Sequence, residues 1–573
     1  MLRQSSGRCC GKPTGDAAAV WRELRAIGAR EGVTRMRSAA PSPPPVAERP
    51  PLRGLTRREL PFVPVFAQSV AAIAPSGTAV VTPAFVIGAA GGGASVAAFL
   101  AAALLAWAVA LVIRPMAQRL AVTGGLYTYV AKGLGPFVAV PTGWSAIVGY
   151  ASVSVAGLLA VGTYLDQLAV TAGLAGFGGT ATIVGLLLVA AVVEAVLMVR
   201  GIRLSASATL LVECVSVVTV LALMGYLLTR DAHAPRPAPV FEWHGGTGTL
   251  AMSAVVAVSA FVGFESATTL SAEAYRPFRS VPRTLVWTPL AAAVIYLIAV
   301  TAQAVALAAA PPGTASSSTP VTDLLMRGDS GFLGAVLDLG VAASFFACTV
   351  ASINALVRVL FTMGRERIAP AAAGRAHSRF HTPAPAIVAA VGAVTACALW
   401  YLLSGAEPQD GIRSFLTLSA LGYLGSYLPA CLATPALLRR IGEPSRAIAI
   451  LGSVTALLLG VLMVGAAVSA RNDNVTVVIA YAAILAAAVA FTVGLRVLAP
   501  DRLRGIGIYD EPRREDLLPV VTFREPPCRI PAAPIRSRTP SPFSKRSPTA
   551  GWASPPRRSR SVWASRPPPP TGC

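Results

Sequence analysis

Four acidic residues lie inside long apolar stretches of the sequence, where an ionised carboxylate is costly. They are Glu194, Glu213, Glu265 and Asp338. A charge at the centre of a bilayer costs roughly 3 kcal/mol on insertion scales, so an intramembrane carboxyl usually faces a cavity, a partner or a proton pathway. We interpret Glu194 as lying near a membrane interface, because Arg200 follows it closely, and Asp338 as lying near the outer end of its helix. Glu213 and Glu265 are therefore the candidates for ion-coupled chemistry.

The sequence offers little that indicates enzymatic catalysis. It contains neither a Ser–His–Asp arrangement nor an HExxH motif, and no ATP-binding motif that would indicate a primary pump. His377 and His381 have the spacing of two metal ligands, but a third ligand is missing. The glycine-rich segment 123–135 follows no strand, so we do not expect it to bind a nucleotide. We predict no catalytic residue, no metal site and no cofactor.

Two apolar stretches contain segments that form helices poorly. In SVAAIAPSGTAVVTPAFVIG, Pro75 lacks a backbone donor and Gly77 follows it, so we expect irregular backbone over 74–78. In AVSAFVGFESATTLSAEAYRPF, Gly263 precedes Glu265 and several hydroxyl side chains. Irregular backbone at bilayer depth is allowed only where protein or a wet cavity satisfies it. Paired interruptions at matching positions of two halves indicate the central site of a transporter.

The ends of broken helices supply the chemistry of recognition at such a site. A half-helix N-terminus offers free N–H groups and partial positive charge, and a half-helix C-terminus offers free carbonyls and partial negative charge. One interruption can hold a carboxylate while another holds an ammonium group. A zwitterionic amino acid is a ligand that fits both.

The elements that must position these residues are membrane-spanning helices. The chain has 573 residues, of which 54% are hydrophobic and only 13% are charged, and its mean hydropathy is +0.63. Soluble domains carry about 25% charged residues, so this chain cannot cover one soluble globule with polar surface. Twelve apolar runs are long enough to cross about 30 Å of hydrocarbon as helices; they lie at 64–90, 94–114, 136–165, 180–199, 207–229, 249–272, 285–310, 331–360, 384–404, 412–438, 447–469 and 475–498.

Charge indicates how the loops and the ends of the chain are arranged. Residues 1–58 hold 12 basic and 4 acidic side chains and residues 500–573 hold 14 and 6, so together they carry +16 of the net charge of +22. We predict two disordered basic tails around a transporter domain at 59–499. We expect the tails to lie beside anionic lipids of the bilayer and not on nucleic acid, because no recognition motif accompanies the charge.

The loops between the apolar runs alternate in charge. With the N-terminus in the cytoplasm, the inner loops carry fifteen Arg and Lys residues and the outer loops carry five. This bias predicts an even number of spans, both termini in the cytoplasm, and a multi-pass protein of the cell membrane.

Several segments carry a family resemblance. AFVGFESATTLSAEAYRPFRSVPRTL at 260–285 is similar to the sixth helix and following loop of bacterial permeases of the amino acid–polyamine–organocation superfamily. RVLFTMGRERIAPAAAGRAHSRFHTPAPA at 358–386 is similar to the loop after their eighth helix, which lies at the inner gate. APSG at 74–77 and TGGLYTYV at 123–130 are weaker matches. The resemblance covers residues 60–499 and neither tail.

The resemblance implies an all-α membrane protein with 12 transmembrane helices in a LeuT-like 5+5 inverted repeat, in which helices 1 and 6 are broken. It implies alternating access, in which one bundle rocks against a scaffold. The substrate carboxylate would meet backbone N–H groups, the ammonium would meet carbonyls, and an aromatic ring would cover the site. Carried over by position, these residues are Ser76, Gly77 and Thr78 for the carboxylate, Ile73, Ala74, Phe261 and Val262 for the ammonium, Gly263 at the second break, and Phe264 as the aromatic cover.

The fifth span departs from the family pattern. Proton-coupled relatives often place a Lys midway along it, whereas the equivalent stretch here, LLVECVSVV, carries Glu213. A carboxylate there could exchange a proton or help to hold Na⁺. We expect H⁺ as the coupling ion, with Na⁺ as the alternative, and Glu213 and Glu265 as the coupling residues.

These observations predict a secondary active transporter for amino acids. It would bind a small-molecule substrate and be embedded in the lipid bilayer. A permease or exchanger for polyamines or organic amines is the alternative, and it would not need the carboxylate contact. A membrane-embedded enzyme or scaffold is the alternative from a different class, and it would require a cluster of His, Asp or Ser at one membrane face. The sequence leaves the substrate and the oligomeric state open.

Overall fold

Apolar helices dominate the computed structural model, which describes residues 55, 58–231, 246–311, 313–314, 317, 319–327, 331–377, 380–469 and 475–507. All of these residues belong to one compact unit of the chain. Helices are the natural solution for apolar segments in lipid, because each backbone N–H and C=O is satisfied within its own segment. Among the described residues, the pairing of Leu60 with Ala274 is an isolated bridge outside any named strand.

Within the described residues, twelve spans are long and apolar enough to cross a membrane, which confirms the predicted all-α class and the predicted number. Spans 1 and 6 each consist of two pieces, which we name 1a, 1b, 6a and 6b. In chain order the helices of the spans are Phe62–Ala71 (1a) and Pro75–Ala90 (1b), Gly92–Ala117, Pro136–Thr171, Thr180–Arg200, Ile202–Asp231, Thr247–Ser259 (6a) and Phe264–Leu270 (6b), Pro277–Ala308, Gly331–Arg365, Ala384–Leu403, Pro408–Arg440, Arg446–Ser469, and Val475–Leu498. Shorter helices are Leu126–Gly133, Pro320–Met326 and Pro500–Arg504.

Burial separates central spans from peripheral ones. In the most apolar window of spans 1 and 6, 83% of the residues are buried, against 22% and 17% for spans 11 and 12. Span 3 packs against spans 8 and 10, span 2 packs against span 7, and span 5 packs against span 8. The two interrupted spans therefore lie inside the bundle, where surrounding helices can satisfy irregular backbone. The inverted 5+5 relation of the two halves stays a prediction.

The helix of span 7 begins at Pro277, earlier than the predicted start of that span at residue 285. Proline suits the first helical position, because its N–H is absent where no partner exists and its φ is already helical. The added turns carry Arg279 and Arg283, whose charges fit the headgroup level and not the hydrocarbon. Hydropathy finds only the apolar part of such a helix.

The predicted tails at 1–58 and 500–573 lie almost entirely outside the described residues. The described part of the second tail, 500–507, begins with the helix Pro500–Arg504. Ile506 is buried, and the N–H of Gly507 donates to Glu366 Oε1 at 2.8 Å. The folded unit thus extends at least to residue 507.

Candidate functional site

Span 1 is interrupted over 72–74. Ala74 takes a left-handed conformation with φ of 48° and ψ of 58°, which costs an L-residue roughly 1–2 kcal/mol. Pro75 then begins half-helix 1b, since proline suits the first helical position. The sequence predicted irregular backbone over 74–78, but the structure places most of the irregular residues earlier. The three residues after Pro75 instead form the first turn of 1b, where the N–H groups of Ser76 and Gly77 point out of the helix end and that of Thr78 makes the first hydrogen bond of the helix.

Span 6 is interrupted over 260–263, directly beside the interruption of span 1. Gly263 has φ of 101°, a conformation that favours glycine. A Cβ atom at Gly263 would lie 2.8 Å from the carbonyl oxygen of Ala72, so only glycine allows this approach of the two backbones. The chain continues as a 3₁₀ helix in 6b. The two interruptions are therefore in contact inside the bundle.

Glu213 of span 5 caps the N-terminus of half-helix 1b. Its Oε1 accepts hydrogen bonds from the N–H of Ser76 at 3.2 Å, from Ser76 Oγ at 2.7 Å and from Ser344 Oγ at 2.9 Å. A carboxylate at a helix N-terminus is favoured by both the free N–H groups and the helix dipole. Its Oε2 is buried and has no hydrogen-bond partner within the described part of the chain. Glu213 thus combines a firmly held oxygen with an unsatisfied one.

The three N–H groups expected to bind a substrate carboxylate all have protein partners. The N–H of Ser76 donates to Glu213, that of Gly77 donates to Ser344 Oγ at 3.0 Å, and that of Thr78 donates to the carbonyl of Ala74 at 2.8 Å. The carboxylate of Glu213 occupies the position that the prediction gives to the substrate. A substrate carboxylate could take the N–H of Ser76 only after Glu213 moves or loses its charge.

The carbonyl side of the first interruption is also held by side chains. The carbonyl of Ile73 accepts from Thr78 Oγ1 at 3.0 Å and from the hydroxyl of Tyr296 at 3.3 Å. The Tyr296 ring meets the ring of Phe261 edge-on, with centroids 5.0 Å apart. This hydroxyl and ring connect span 7 with both interruptions. Val262, the neighbour of Phe261, is buried in the same region.

Aromatic rings enclose the junction of the two interruptions. The Phe264 ring lies 5.6 Å from the Tyr427 ring of span 10, in a tilted arrangement. Phe345 of span 8 lies so close to half-helix 1b that a Cβ atom at Gly77 would approach its ring to 2.9 Å. Phe264 is fully buried, as expected for a residue that covers a site. The surroundings of the junction are therefore largely apolar and aromatic.

Glu265 of 6b is held in a different way from Glu213. Its Oε1 accepts from the hydroxyl of Tyr150 at 2.8 Å, and its Oε2 accepts from the hydroxyl of Tyr427. The Tyr427 hydroxyl also accepts the N–H of Gly263 at 3.2 Å. Both carboxyl oxygens of Glu265 are thus satisfied by tyrosines of spans 3 and 10. This arrangement holds the second interruption in place, and it makes Glu213 the stronger candidate for coupling.

Among the described residues, the other two intramembrane acids form no hydrogen bond with the residues of the two interruptions. Glu194 is fully buried in span 4, and neither of its carboxyl oxygens has a hydrogen-bond partner among the described residues. Our interpretation of Glu194 as an interfacial residue did not foresee this burial. Asp338 accepts a hydrogen bond from Thr322 Oγ1 at 2.8 Å, which ties span 8 to the short helix Pro320–Met326.

All nine predicted substrate-binding residues are buried, so the junction is closed to solvent. A buried ion pair contributes to the closure of the junction on the side of the loops that follow spans 6 and 8, which are rich in arginine. Arg358 Nε donates to Glu273 Oε1 at 2.8 Å, and the two side chains are only 4% and 3% exposed. The loop beyond span 8 is tied down as well, since the hydroxyl of Tyr127 donates to Glu366.

A short segment before span 1 reinforces this closure. The N–H groups of Glu59 and Leu60 donate to the carbonyl of Glu273 at 2.9 and 3.0 Å. The pieces 1a and 6b are joined further along, where Ser69 Oγ donates to the carbonyl of Phe264. Half-helix 1a is therefore attached to 6b near both of its ends, once directly through Ser69 and once through the residues just before 1a and just after 6b.

Sequence reasoning missed the partners of the two acids. Tyr150, Tyr427 and Ser344 come from spans 3, 10 and 8, far from the interruptions along the chain. The same holds for Tyr296 of span 7, which donates to the carbonyl of Ile73. No spacing in a single sequence connects them. A buried tyrosine in a membrane helix requires a partner for its hydroxyl, which is the one signal that could have drawn attention to them.

Within the described residues, no group of three or more His, Cys, Asp and Glu side chains is placed to hold a metal ion. The site consists instead of two touching helix interruptions, a carboxylate on a half-helix N-terminus and an aromatic enclosure. Twelve spans around such a junction define a multi-pass membrane transporter built on broken helices.

Comparison with known proteins identifies the family. The profile of the amino acid permease family matches residues 65–495, so the chain belongs to this family. It is 27% identical over 360 residues to an uncharacterized transporter of Mycobacterium bovis, covering 62% of this chain and 76% of the relative. It is 24% identical over 302 residues to a branched-chain amino acid permease of Bacillus subtilis, covering 50% and 63%.

Among solved structures, a manganese transporter of Eremococcus coleocola aligns with a TM-score of 0.48 and 12% identity, covering 77% of this chain and 95% of that structure. The family and the relatives are transporters, which confirms the predicted superfamily and the prediction that the chain is not an enzyme. The substrate is thus a small molecule such as an amino acid, and the protein is embedded in a membrane.

Proposed function

We propose that this protein is a secondary active transporter that moves amino acids across the cytoplasmic membrane by alternating access, coupled to protons. The membership of the amino acid permease family and the two touching interruptions support transport of a small solute through a central site. The observation that carries the coupling is the contact between Glu213 and the first turn of half-helix 1b.

Coupling follows from competition between two carboxylates for one helix end. While Glu213 is ionised, it holds the N–H and hydroxyl of Ser76. A second carboxylate cannot join it, because two like charges in one buried site repel strongly. Protonation of Glu213 removes the charge, weakens its hydrogen bonds, and frees the helix end for the substrate carboxylate. Substrate and proton then bind together, each raising the affinity for the other.

A proton suits this site better than Na⁺. The groups around Glu213 Oε1 are one N–H and two hydroxyls, all of which donate to it. Donors of this kind stabilise an anion, whereas a bound cation requires a shell of oxygen lone pairs. Sodium coupling remains the alternative, and a sodium gradient serves as the contrasting condition below.

We propose a neutral substrate with an apolar side chain, of the branched-chain class. The rings of Phe261, Phe264 and Phe345 enclose the junction, which offers an apolar side chain a compatible environment. The name of the Bacillus subtilis relative points to the same class of substrate.

A permease for organic amines is the second candidate, and one observation favours it. Glu213 Oε2 lacks a hydrogen-bond partner among the described residues, while the neighbouring N–H groups already have partners. An ammonium group without a carboxylate would pair with Oε2 and leave the helix cap undisturbed.

Leucine and isoamylamine, which is leucine without its carboxylate, distinguish the two candidates. The full chain is purified and its thermal unfolding is followed with each compound at acidic and alkaline pH. We expect leucine to stabilise the protein more at acidic pH, and isoamylamine to have little effect. Stabilisation by isoamylamine alone, strongest at alkaline pH, would establish the amine permease instead.

Uptake into proteoliposomes then tests the coupling ion. We expect leucine accumulation to follow an imposed pH gradient and to ignore an imposed sodium gradient. Accumulation that follows sodium alone would refute proton coupling while leaving amino acid transport intact.

The arginine bias of the loops leads us to expect both termini on the cytoplasmic side of the cell membrane. Fusion of a reporter that is active only in the cytoplasm to the C-terminus tests this orientation. An inactive reporter on a functional transporter would contradict it.

A further inference from the structure

A basic cavity lies where the end of span 2 meets the start of span 7, and none of its lining residues belongs to the junction of the interruptions. It has a volume of about 280 Å³ and is formed by the last turns of span 2 and the first turns of span 7. Its charged lining consists of Arg114, Arg279 and Arg283. Arg114 lies in the last turn of its helix, whereas Arg279 and Arg283 follow Pro277 at the start of theirs.

These three arginines have no countercharge in the described part of the protein. None of their guanidinium groups forms an ion pair or hydrogen bond with another described residue, and no acidic side chain lines the cavity. All three arginines are exposed, and an anion among them would relieve the remaining repulsion between their positive charges. Planar guanidinium groups bind the oxygens of a phosphate in pairs, which makes phosphate the anion they fit best.

One face of span 7 continues the site from the arginines at the start of the helix toward its apolar part. Arg279, Arg283 and Trp287 are spaced four residues apart, so they share one face of the helix over a length of about 12 Å. Trp287 is 62% exposed and lines the same cavity. Tryptophan at the end of a span is typical of the boundary between headgroups and hydrocarbon. A ligand with a phosphate at one end and an acyl chain at the other fits this sequence of charged and aromatic side chains.

We propose that this cavity binds the phosphate headgroup of an anionic membrane lipid, of the phosphatidylglycerol class. The phosphate lies among Arg114, Arg279 and Arg283, and the glycerol and the first part of the acyl chains lie along Trp287. A soluble phosphate compound would satisfy the arginines but would gain nothing from the exposed indole. The lipid links the ends of spans 2 and 7, which pack against each other.

The test uses the full chain purified in a neutral detergent and titrated with four probes. These are short-chain phosphatidylglycerol, phosphatidylcholine with the same chains, glycerol 3-phosphate and inorganic phosphate. Binding is measured from the shift of the thermal unfolding midpoint with probe concentration and from lipid retained in native mass spectrometry. We expect phosphatidylglycerol to bind at least about tenfold more tightly than each other probe.

Two double variants separate this site from general surface charge. R279Q/R283Q should weaken phosphatidylglycerol binding at least about tenfold. R439Q/R446Q removes the same charge from exposed arginines at the ends of spans 10 and 11, and should leave binding unchanged. W287A should weaken binding of the lipid and not that of glycerol 3-phosphate.

Each contrary outcome overturns the proposal. Equal loss in both double variants would show a general electrostatic attraction to the surface. Glycerol 3-phosphate or inorganic phosphate binding as tightly as the lipid would show a site for soluble phosphate. Unchanged lipid binding in R279Q/R283Q would show that the cavity is not the site.

Discussion

Replacing Glu213 with glutamine should change both the affinity for the substrate and its dependence on pH. Glutamine keeps the size of the side chain and one acceptor oxygen, but it has no charge and cannot titrate. It therefore imitates the protonated form of Glu213 at every pH. Under the proposed competition for half-helix 1b, the variant should bind leucine well even at alkaline pH, where the wild-type carboxyl is ionised.

The size of the expected change in leucine affinity follows from the hydrogen bonds that Glu213 Oε1 accepts. A hydrogen bond to a charged group contributes about 1.5–3 kcal/mol and a neutral one about 0.5–1.5 kcal/mol, so each loses roughly 1–1.5 kcal/mol when the charge is removed. Of the two donating residues, only Ser76 also offers an N–H group that the substrate carboxylate must take. Weakening that one bond corresponds to about a tenfold gain in affinity at alkaline pH.

The assay is leucine binding by isothermal titration over a series of pH values, with Glu194→Gln as the matched control. Glu194 is an equally buried intramembrane carboxyl that makes no hydrogen bond to half-helix 1b or to any other described residue, so its replacement should leave the pH dependence unchanged. Unchanged leucine affinity and unchanged pH dependence in Glu213→Gln would refute the competition. A loss of affinity that extends to isoamylamine would mean that Glu213 pairs with an ammonium group.

Three further substitutions test the closure and the second interruption. Gly263→Ala should abolish leucine uptake, because a Cβ atom 2.8 Å from the carbonyl oxygen of Ala72, at a residue with positive φ, costs about 2–4 kcal/mol. Uptake at the wild-type rate would show that transport does not require this close contact between the two interruptions. Arg358→Gln should lower thermal stability by about 3–5 kcal/mol, since it leaves Glu273 buried without its partner, and the double replacement of both residues by glutamine should recover part of this loss. A double variant as unstable as the single one would contradict the pairing. Tyr427→Phe should cost about 2 kcal/mol in a denaturation experiment, because it removes a hydroxyl that serves two buried groups; an unaltered stability would count against that role.

Hydropathy and charge predicted the number of spans because both reflect the bilayer directly. Each apolar run must be helical in lipid, so the length of the runs indicates the number of spans. Arginine rarely lies in hydrocarbon, so the charge of the loops indicates where the spans end and predicts their orientation. The same reasoning missed the first turns of span 7, where Arg279 and Arg283 lie on a helix that extends beyond the apolar region.

The interruptions were predictable in kind but not in detail. Pro75 and Gly263 marked the two broken spans, since each disfavours a continuous helix. Proline begins a helix as readily as it ends one, so the residue type alone did not show that the irregular backbone precedes Pro75. The occupation of the helix end by Glu213 depends on how span 5 packs beside span 1, which no local pattern records.

The attachment of 1a to 6b near both of its ends has a practical consequence. The N–H of Leu60 donates to the carbonyl of Glu273, just beyond 6b, and Ser69 Oγ donates to that of Phe264, so we expect the two pieces to move together as one lever. A spin label at Arg58, just ahead of this lever, would swing with it as a whole. A single interspin distance from that label to a stationary helix would therefore count open and closed molecules in a population, without any probe entering the binding site.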